Sequence, residues 1–303
     1  MRIARSLTVV AAVLATFVVL SASAVAGTVN VLWYTGGIVS GGSSISNYQT
    51  AVSDLAAAAP SAPGGNTWNV TFWDSGAEPA GSFNVLVVAS PQGPWTTNPD
   101  YSALDSSLSG GSLTFGNRLM LTGQDADWHY QNGPGPTNFD GPKGFLLDSI
   151  NWAGSGTGLG VVALGLTGNG ADCASSGEPN FGFPGYSSDC SSTNNVQIPA
   201  AYASFPINTN LTSAGLSNWN TAAHVDFYGL NSSDWTGINL NGDDSCSAGP
   251  SAPCYVTIVS AGTSGGGITG GGVPEPASVL LFGTGLIGLA GFMELRRRKA
   301  FQA

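Results

Sequence analysis

Between Val29 and Leu166 the chain alternates short apolar runs with amphipathic stretches, and this order restricts it to one class of fold. Val29 to Thr35, Trp68 to Trp73, Phe83 to Ala89, Arg118 to Thr122 and Gly160 to Leu166 are rich in β-branched and aromatic residues. They read as strands. Ser46 to Ala59 reads as a helix, because Tyr48, Val52, Leu55 and Ala59 recur every three or four residues. Tyr101 to Leu108 reads as a second helix, entered through Asn98-Pro99-Asp100, with Tyr101, Leu104 and Leu108 on one side. Pro142 to Trp152 is a third, with Phe145, Leu146 and Ile150 inward. Strands and helices in this succession predict an α/β domain over residues 28–167, an open and mostly parallel sheet with helices on both faces.

From Thr167-Gly168-Asn169-Gly170 the texture changes to Gly, Ser, Asn and Pro, and residues 168–262 read as a loop-rich extension. Val225 to Leu230 and Tyr255 to Ser260 are its clearest strands, and either can return to the edge of the first sheet. All four cysteines, Cys173, Cys190, Cys246 and Cys254, lie in this extension. Three pairings satisfy them, and neighbour pairing, Cys173 with Cys190 and Cys246 with Cys254, closes the shortest loops. A Gly-rich linker at 263–272 separates the extension from the C-terminal segment, 273–303.

The two ends are built for the membrane. Residues 1–26 carry Arg2 and Arg5, an apolar stretch from Leu7 to Leu20 and a small-residue exit through Ala24 and Ala26, the pattern of a cleaved signal peptide. Export to an oxidising compartment follows, and disulfides with it. At the other end an uncharged run from Ala277 to Met293 would rise roughly 26 Å as a helix, just under the roughly 30 Å hydrocarbon core. Arg296, Arg297, Arg298 and Lys299 follow it and place the C-terminus on the cytoplasmic side.

Pro274-Glu275-Pro276, then the apolar run, then the arginines, resembles the PEP-CTERM sorting signal of Gram-negative bacteria. The resemblance covers about a tenth of the chain. It implies a single C-terminal transmembrane helix that holds the protein in the inner membrane. An exosortase-type transpeptidase would cut near the tripeptide and release the ectodomain to the cell surface or extracellular matrix. Pro274 and Pro276 suit such a site, since neither supplies an N–H and both keep the chain extended.

Between Gly27 and Pro276 the chain holds 17 acidic residues against two basic ones, Arg118 and Lys143, a formal charge of −15. Such a surface repels phosphate backbones, so nucleic acid is excluded as a partner, whereas divalent cations are attracted. No phosphate-binding glycine loop with a lysine is present, and no serine sits in a Gly-x-Ser-x-Gly turn.

In element order the first half also resembles the flavodoxin-like, class I glutamine-amidotransferase-like fold, including its ThuA-like members. That fold places a cysteine nucleophile on a strand-to-helix turn, and the corresponding turn here, Leu121-Thr122-Gly123-Gln124-Asp125, has none. The same segment runs into Asp125, Asp127 and His129. In an extended conformation these three point one way and can converge on a divalent cation or a sugar hydroxyl, or act as acid and base. His129 and His224 are the only histidines, and His224 stands two residues from Asp226. Asn239, Asn241, Asp243 and Asp244 form a second oxygen-rich run, loosely like a calcium loop but without its closing glutamate. Trp95, Trp128 and Trp235 are candidates to stack on sugar rings. The resulting expectation is an exported, exosortase-processed surface or matrix protein whose α/β domain binds a ligand or polysaccharide without a cofactor. An exported hydrolase acting on glycans through Asp125, Asp127 and His129 is the alternative.

Overall fold

A computed structural model of the chain describes residues 27–38, 45–62, 65–91, 97–132, 139–170, 173, 177–217, 219–243 and 252–261. The expected signal peptide, Gly-rich linker, transmembrane helix and sorting residues Pro274, Glu275, Pro276, Arg296, Arg297 and Arg298 lie outside these residues. Among the described residues no helix is long and apolar enough to cross a membrane.

Five parallel strands form the centre: β1 (Thr28–Tyr34), β2 (Thr67–Trp73), β3 (Val85–Val88), β4 (Phe115–Thr122) and β5 (Leu159–Leu164). Their spatial order is β2-β1-β3-β5-β4, all pairings parallel. The parallel α/β expectation is met, but the flavodoxin arrangement runs 2-1-3-4-5 and the last two strands are exchanged here. The strands are buried on both faces because both are covered: Val85 to Val88 are fully buried in an unbroken apolar run.

The helices divide between the faces. α1 (Ile45–Ala58) and α4 (Pro142–Gly154) put Tyr48, Val52, Leu55, Phe145, Leu146 and Ile150 into one apolar layer with Val31, Trp33, Val87 and Met120. α2 (Ser102–Ser109) and the Phe181–Phe183 segment cover the other face, where Tyr101 and Leu104 meet Tyr34, Leu86 and Leu121. Asp100 Oδ1 accepts the Ser102 N–H at 2.9 Å, which fixes the entry to α2 expected from Asn98-Pro99-Asp100.

The second half adds strands to the same sheet. β10 (Tyr255–Ser260) runs antiparallel on β4, with Thr257 opposite Thr122. β6 (Ser187–Thr193), β8 (Ala223–Tyr228), β9 (Trp235–Asn241) and the short β7 (Val196–Gln197) extend it, every pairing antiparallel. Cys173 is bridged to Cys190 of β6, as neighbour pairing predicts. Cys254 is also disulfide-bonded, and its expected partner Cys246 lies outside the described residues.

Candidate functional site

Asp125 follows the carboxyl end of β4, where the chain turns into α3 (Ala126–Asn132). The helix replaces the extended segment expected here, and that changes which side chains meet. Its first turn is closed by the His129 N–H donating to the Asp125 carbonyl at 3.1 Å. Residues four apart stack on one side of a helix, so the His129 imidazole lies 3.2 Å from the Asp125 carboxylate. Asp127, two residues on, is turned away by roughly 200° at about 100° per residue. The predicted convergence of all three therefore fails: Asp125 and His129 meet, and Asp127 faces another environment.

The second histidine arrives from the added strands. Gly123 passes so close to β8 that a Cβ there would stand 1.9 Å from the Val225 carbonyl oxygen, so only glycine fits. The Gly123 carbonyl accepts the His224 N–H at 2.8 Å. This crossing brings His224 Nε2 to 3.5 Å from Asp125 Oδ2, while His129 Nε2 addresses Oδ1. Asp125 is 1% exposed, whereas the His224 side chain is 24% exposed and links the buried carboxylate to solvent. Burial pushes the Asp125 carboxyl up, but hydrogen bonds and charge from the two imidazoles outweigh it, holding the carboxyl below its ordinary value.

His129 Nε2 also lies 2.9 Å from the Thr221 carbonyl. A carbonyl only accepts, so Nε2 carries the proton and offers no lone pair to a metal. Thr221 and its neighbour Asn220 have φ of 131° and 69°, left-handed values that non-glycine residues rarely adopt. The strain falls on the segment that supplies this acceptor. Trp128 and Trp219 close the imidazole in, at ring-centroid distances of 4.8 and 5.5 Å.

Asp127 joins a separate chain of hydrogen bonds below the ends of β1 and β3. Trp33 Nε1 donates to the Tyr48 hydroxyl at 3.1 Å, Tyr48 donates to Asp127 Oδ2 at 2.6 Å, and the Ser90 N–H donates to the same oxygen at 3.0 Å. Burial raises the Asp127 carboxyl to about 6 against the pull of these donors, and the Asp125 charge adds to the rise. The Tyr48 hydroxyl is pushed well above its ordinary value by burial and by Asp127.

The remaining candidates separate similarly. Asn239 and Asn241 are buried strand residues of β9, and Asp243 accepts from Thr193 Oγ1 and Asn195 Nδ2. Trp235 is buried with its Nε1 donating to the Pro184 carbonyl, so it is not the exposed stacking platform expected. Trp128 packs half-buried against the core, and Trp95 lies outside the described residues. Among the described residues no group of three His, Cys, Asp or Glu side chains is arranged to hold a metal ion. Tyr48, Ser90 and Thr221 carried no sequence signal for their part in the site. His224 was visible as one of only two histidines, but its contact with Asp125 spans 99 residues of sequence.

The PEP-CTERM protein-sorting motif matches residues 272–298. No curated protein and no solved structure matches the chain, so nothing supports the amidotransferase-like resemblance of the first half. The motif supports sorting by an exosortase and implies an exported precursor anchored in the membrane.

Proposed function

We propose that this protein is a noncatalytic surface or extracellular-matrix component, freed from its membrane tail by the exosortase, whose α/β domain works by binding a ligand, with polysaccharide the leading class. The observation that carries this reading is where the polar side chains at the strand ends spend their hydrogen bonds. Asp125, Asp127 and His129 are each at most 5% exposed; Asp125 and His129 face each other, His129 also faces the Thr221 carbonyl, and Asp127 accepts from the Tyr48 hydroxyl and the Ser90 N–H. A reactive group must reach its substrate, and these are turned inward. They support a rigid platform at the carboxyl ends of the parallel strands, where α/β sheets place their ligands.

One observation favours the hydrolase reading: a buried carboxylate holding a half-buried imidazole, Asp125 with His224, has the composition of a general base. Replacing Asp125 and Asp127 by Asn and assaying the exported protein on polysaccharides of the host envelope separates the two. Binding without turnover in the native protein supports the matrix reading. Turnover that the double variant loses would replace it with the hydrolase. For the tail, alanines at Pro274, Glu275 and Pro276 are expected to retain the protein in the inner membrane, and unchanged release of that variant would overturn recognition through the tripeptide.

A further inference from the structure

β2 closes one end of the sheet, and among the described residues it pairs with β1 alone. The pairing is parallel and unbroken from Thr67 to Trp73, and it fixes which backbone groups look outward. The Thr67 N–H donates to the Gly27 carbonyl at 2.9 Å, and the Trp73 carbonyl accepts the Thr35 N–H at 3.0 Å. Backbone direction alternates along a strand, so the odd-numbered residues of β2 address β1, while Trp68, Val70 and Phe72 turn their N–H and C=O groups away from the sheet. These three residues present a row of hydrogen-bonding groups on which another strand can pair.

The two ends of the sheet are finished differently. β6, at the far end, carries Asp189, slips register on β8 between Cys190 and Thr193, and is tied to Cys173 by the disulfide. β7, beside β9, is only two residues long. Charge, irregularity and shortness are the usual means of blunting an edge. β2 has none of them: its sequence, Thr67-Trp68-Asn69-Val70-Thr71-Phe72-Trp73, holds no charged residue and no proline, and its register has no shift. On one side Thr67, Asn69 and Thr71 are exposed; on the other, Val70 and Phe72 pack on the core but are only half-buried.

We propose that β2 pairs antiparallel with β2 of a second copy of this chain, about a two-fold axis at Val70. That register sets Val70 opposite the second copy's Val70 and Trp68 opposite the second copy's Phe72, so every outward N–H and C=O of both strands finds a partner. The same surface serves on both copies, and a two-fold closes on itself. On the apolar side the half-buried Val70 and Phe72 gain neighbours across the axis, and on the exposed side Asn69 meets the second copy's Thr71. Charge favours this strand as the meeting place. The chain carries a formal charge of −15 between Gly27 and Pro276, so two copies repel along most lines of approach, whereas β2 opposes no like charges. Because the β6 end is blunted, association stops at two copies instead of growing into a filament. The pairing stands independently of whether the domain binds or hydrolyses.

The test is sedimentation equilibrium of the exported, processed protein across the micromolar range. A junction of one strand pair is at the small end of stable interfaces, so a monomer–dimer equilibrium with a Kd of about 10 µM is expected. Val70→Pro removes an outward N–H without touching the bonds to β1, and Asn69→Glu combined with Thr71→Glu sets carboxylates opposite one another. Each is expected to raise that Kd at least about tenfold. The second variant alters exposed side chains only, and it decides the matter if Val70→Pro fails to fold. Positions 69 and 71 face each other across the axis as a close, non-hydrogen-bonded pair, so a mixture of Asn69→Cys and Thr71→Cys proteins is expected to cross-link under mild oxidation faster than either alone. A protein that stays monomeric throughout the range, a dimer indifferent to the substitutions, or a single cysteine variant that cross-links as fast as the mixture would overturn the pairing.

Discussion

Replacing Asp127 by Asn tests whether the hydrogen-bond chain from Trp33 through Tyr48 ends on a carboxylate held against its preference. Burial raises this carboxyl from 3.8 to about 6. Between those values the folded protein keeps a proton that the unfolded chain has lost, so stability falls as pH rises across that interval and levels off above it. A shift of about two units corresponds to about 3 kcal/mol at about 1.4 kcal/mol per unit. Roughly 2 kcal/mol of that develops between pH 4.5 and 8. Asparagine keeps an oxygen for Tyr48 and Ser90 and carries no charge, so it removes this dependence. Asp148, which burial raises to about 7, titrates nearby in pH and is present in both proteins. The difference between variant and parent therefore isolates Asp127. Urea unfolding at half-unit steps from pH 4.5 to 8 should show Asp127→Asn gaining about 2 kcal/mol on the parent, most of it between pH 5 and 7. Parallel profiles for the two proteins would refute the reasoning.

Asp125→Asn has the opposite sign, because the imidazoles hold that carboxyl below its ordinary value and its contribution is present above that value and lost as pH falls. A loss of about 3 kcal/mol at pH 7, shrinking toward pH 3, is expected from urea unfolding. Gly123→Ala drives a methyl group into the Val225 carbonyl and is expected to cost at least about 3 kcal/mol, or to prevent soluble expression; a variant melting within 2 °C of the parent would show that the β4–β8 crossing is loose. Opening the Cys173–Cys190 bridge with serines releases a loop spanning 17 positions, and a loss of about 3 kcal/mol is expected in denaturant titration under nonreducing conditions.

The parallel half was legible because its signals are local. Val85 to Val88 can only be a strand buried on both faces, and Tyr48, Val52 and Leu55 can only be one side of a helix. The added strands were harder for a physical reason. β6 reads Ser-Ser-Asp-Cys-Ser-Ser-Thr, without an apolar alternation, because it is an edge strand held by pairing to β8 and by Cys190 rather than by a buried face. β9 interleaves Asn239 and Asn241 with Ile238 and Leu240, and the asparagines resemble loop chemistry until β10 and β7 are known to flank them.

The Asp125–His129 segment shows what a period choice does to a site. Read at a period of two, its three polar residues make one cluster; read at 3.6, they make two, and the structure follows the second. A seven-residue helix with polar residues at nearly every other position has no apolar stripe to announce it, and its stability comes from packing onto α4 and the core. The pairing of Asp125 with His224 then depends on Gly123, whose missing side chain admits β8. Tight strand crossing and buried charge are thus one feature. A chain with two basic residues in this whole region cannot neutralise buried carboxylates with lysine or arginine. Asp125 uses both histidines, Asp127 is relieved by holding a proton more tightly, and Asp226, with neither histidine left, relies on the Asn241 amide, which donates to its Oδ2.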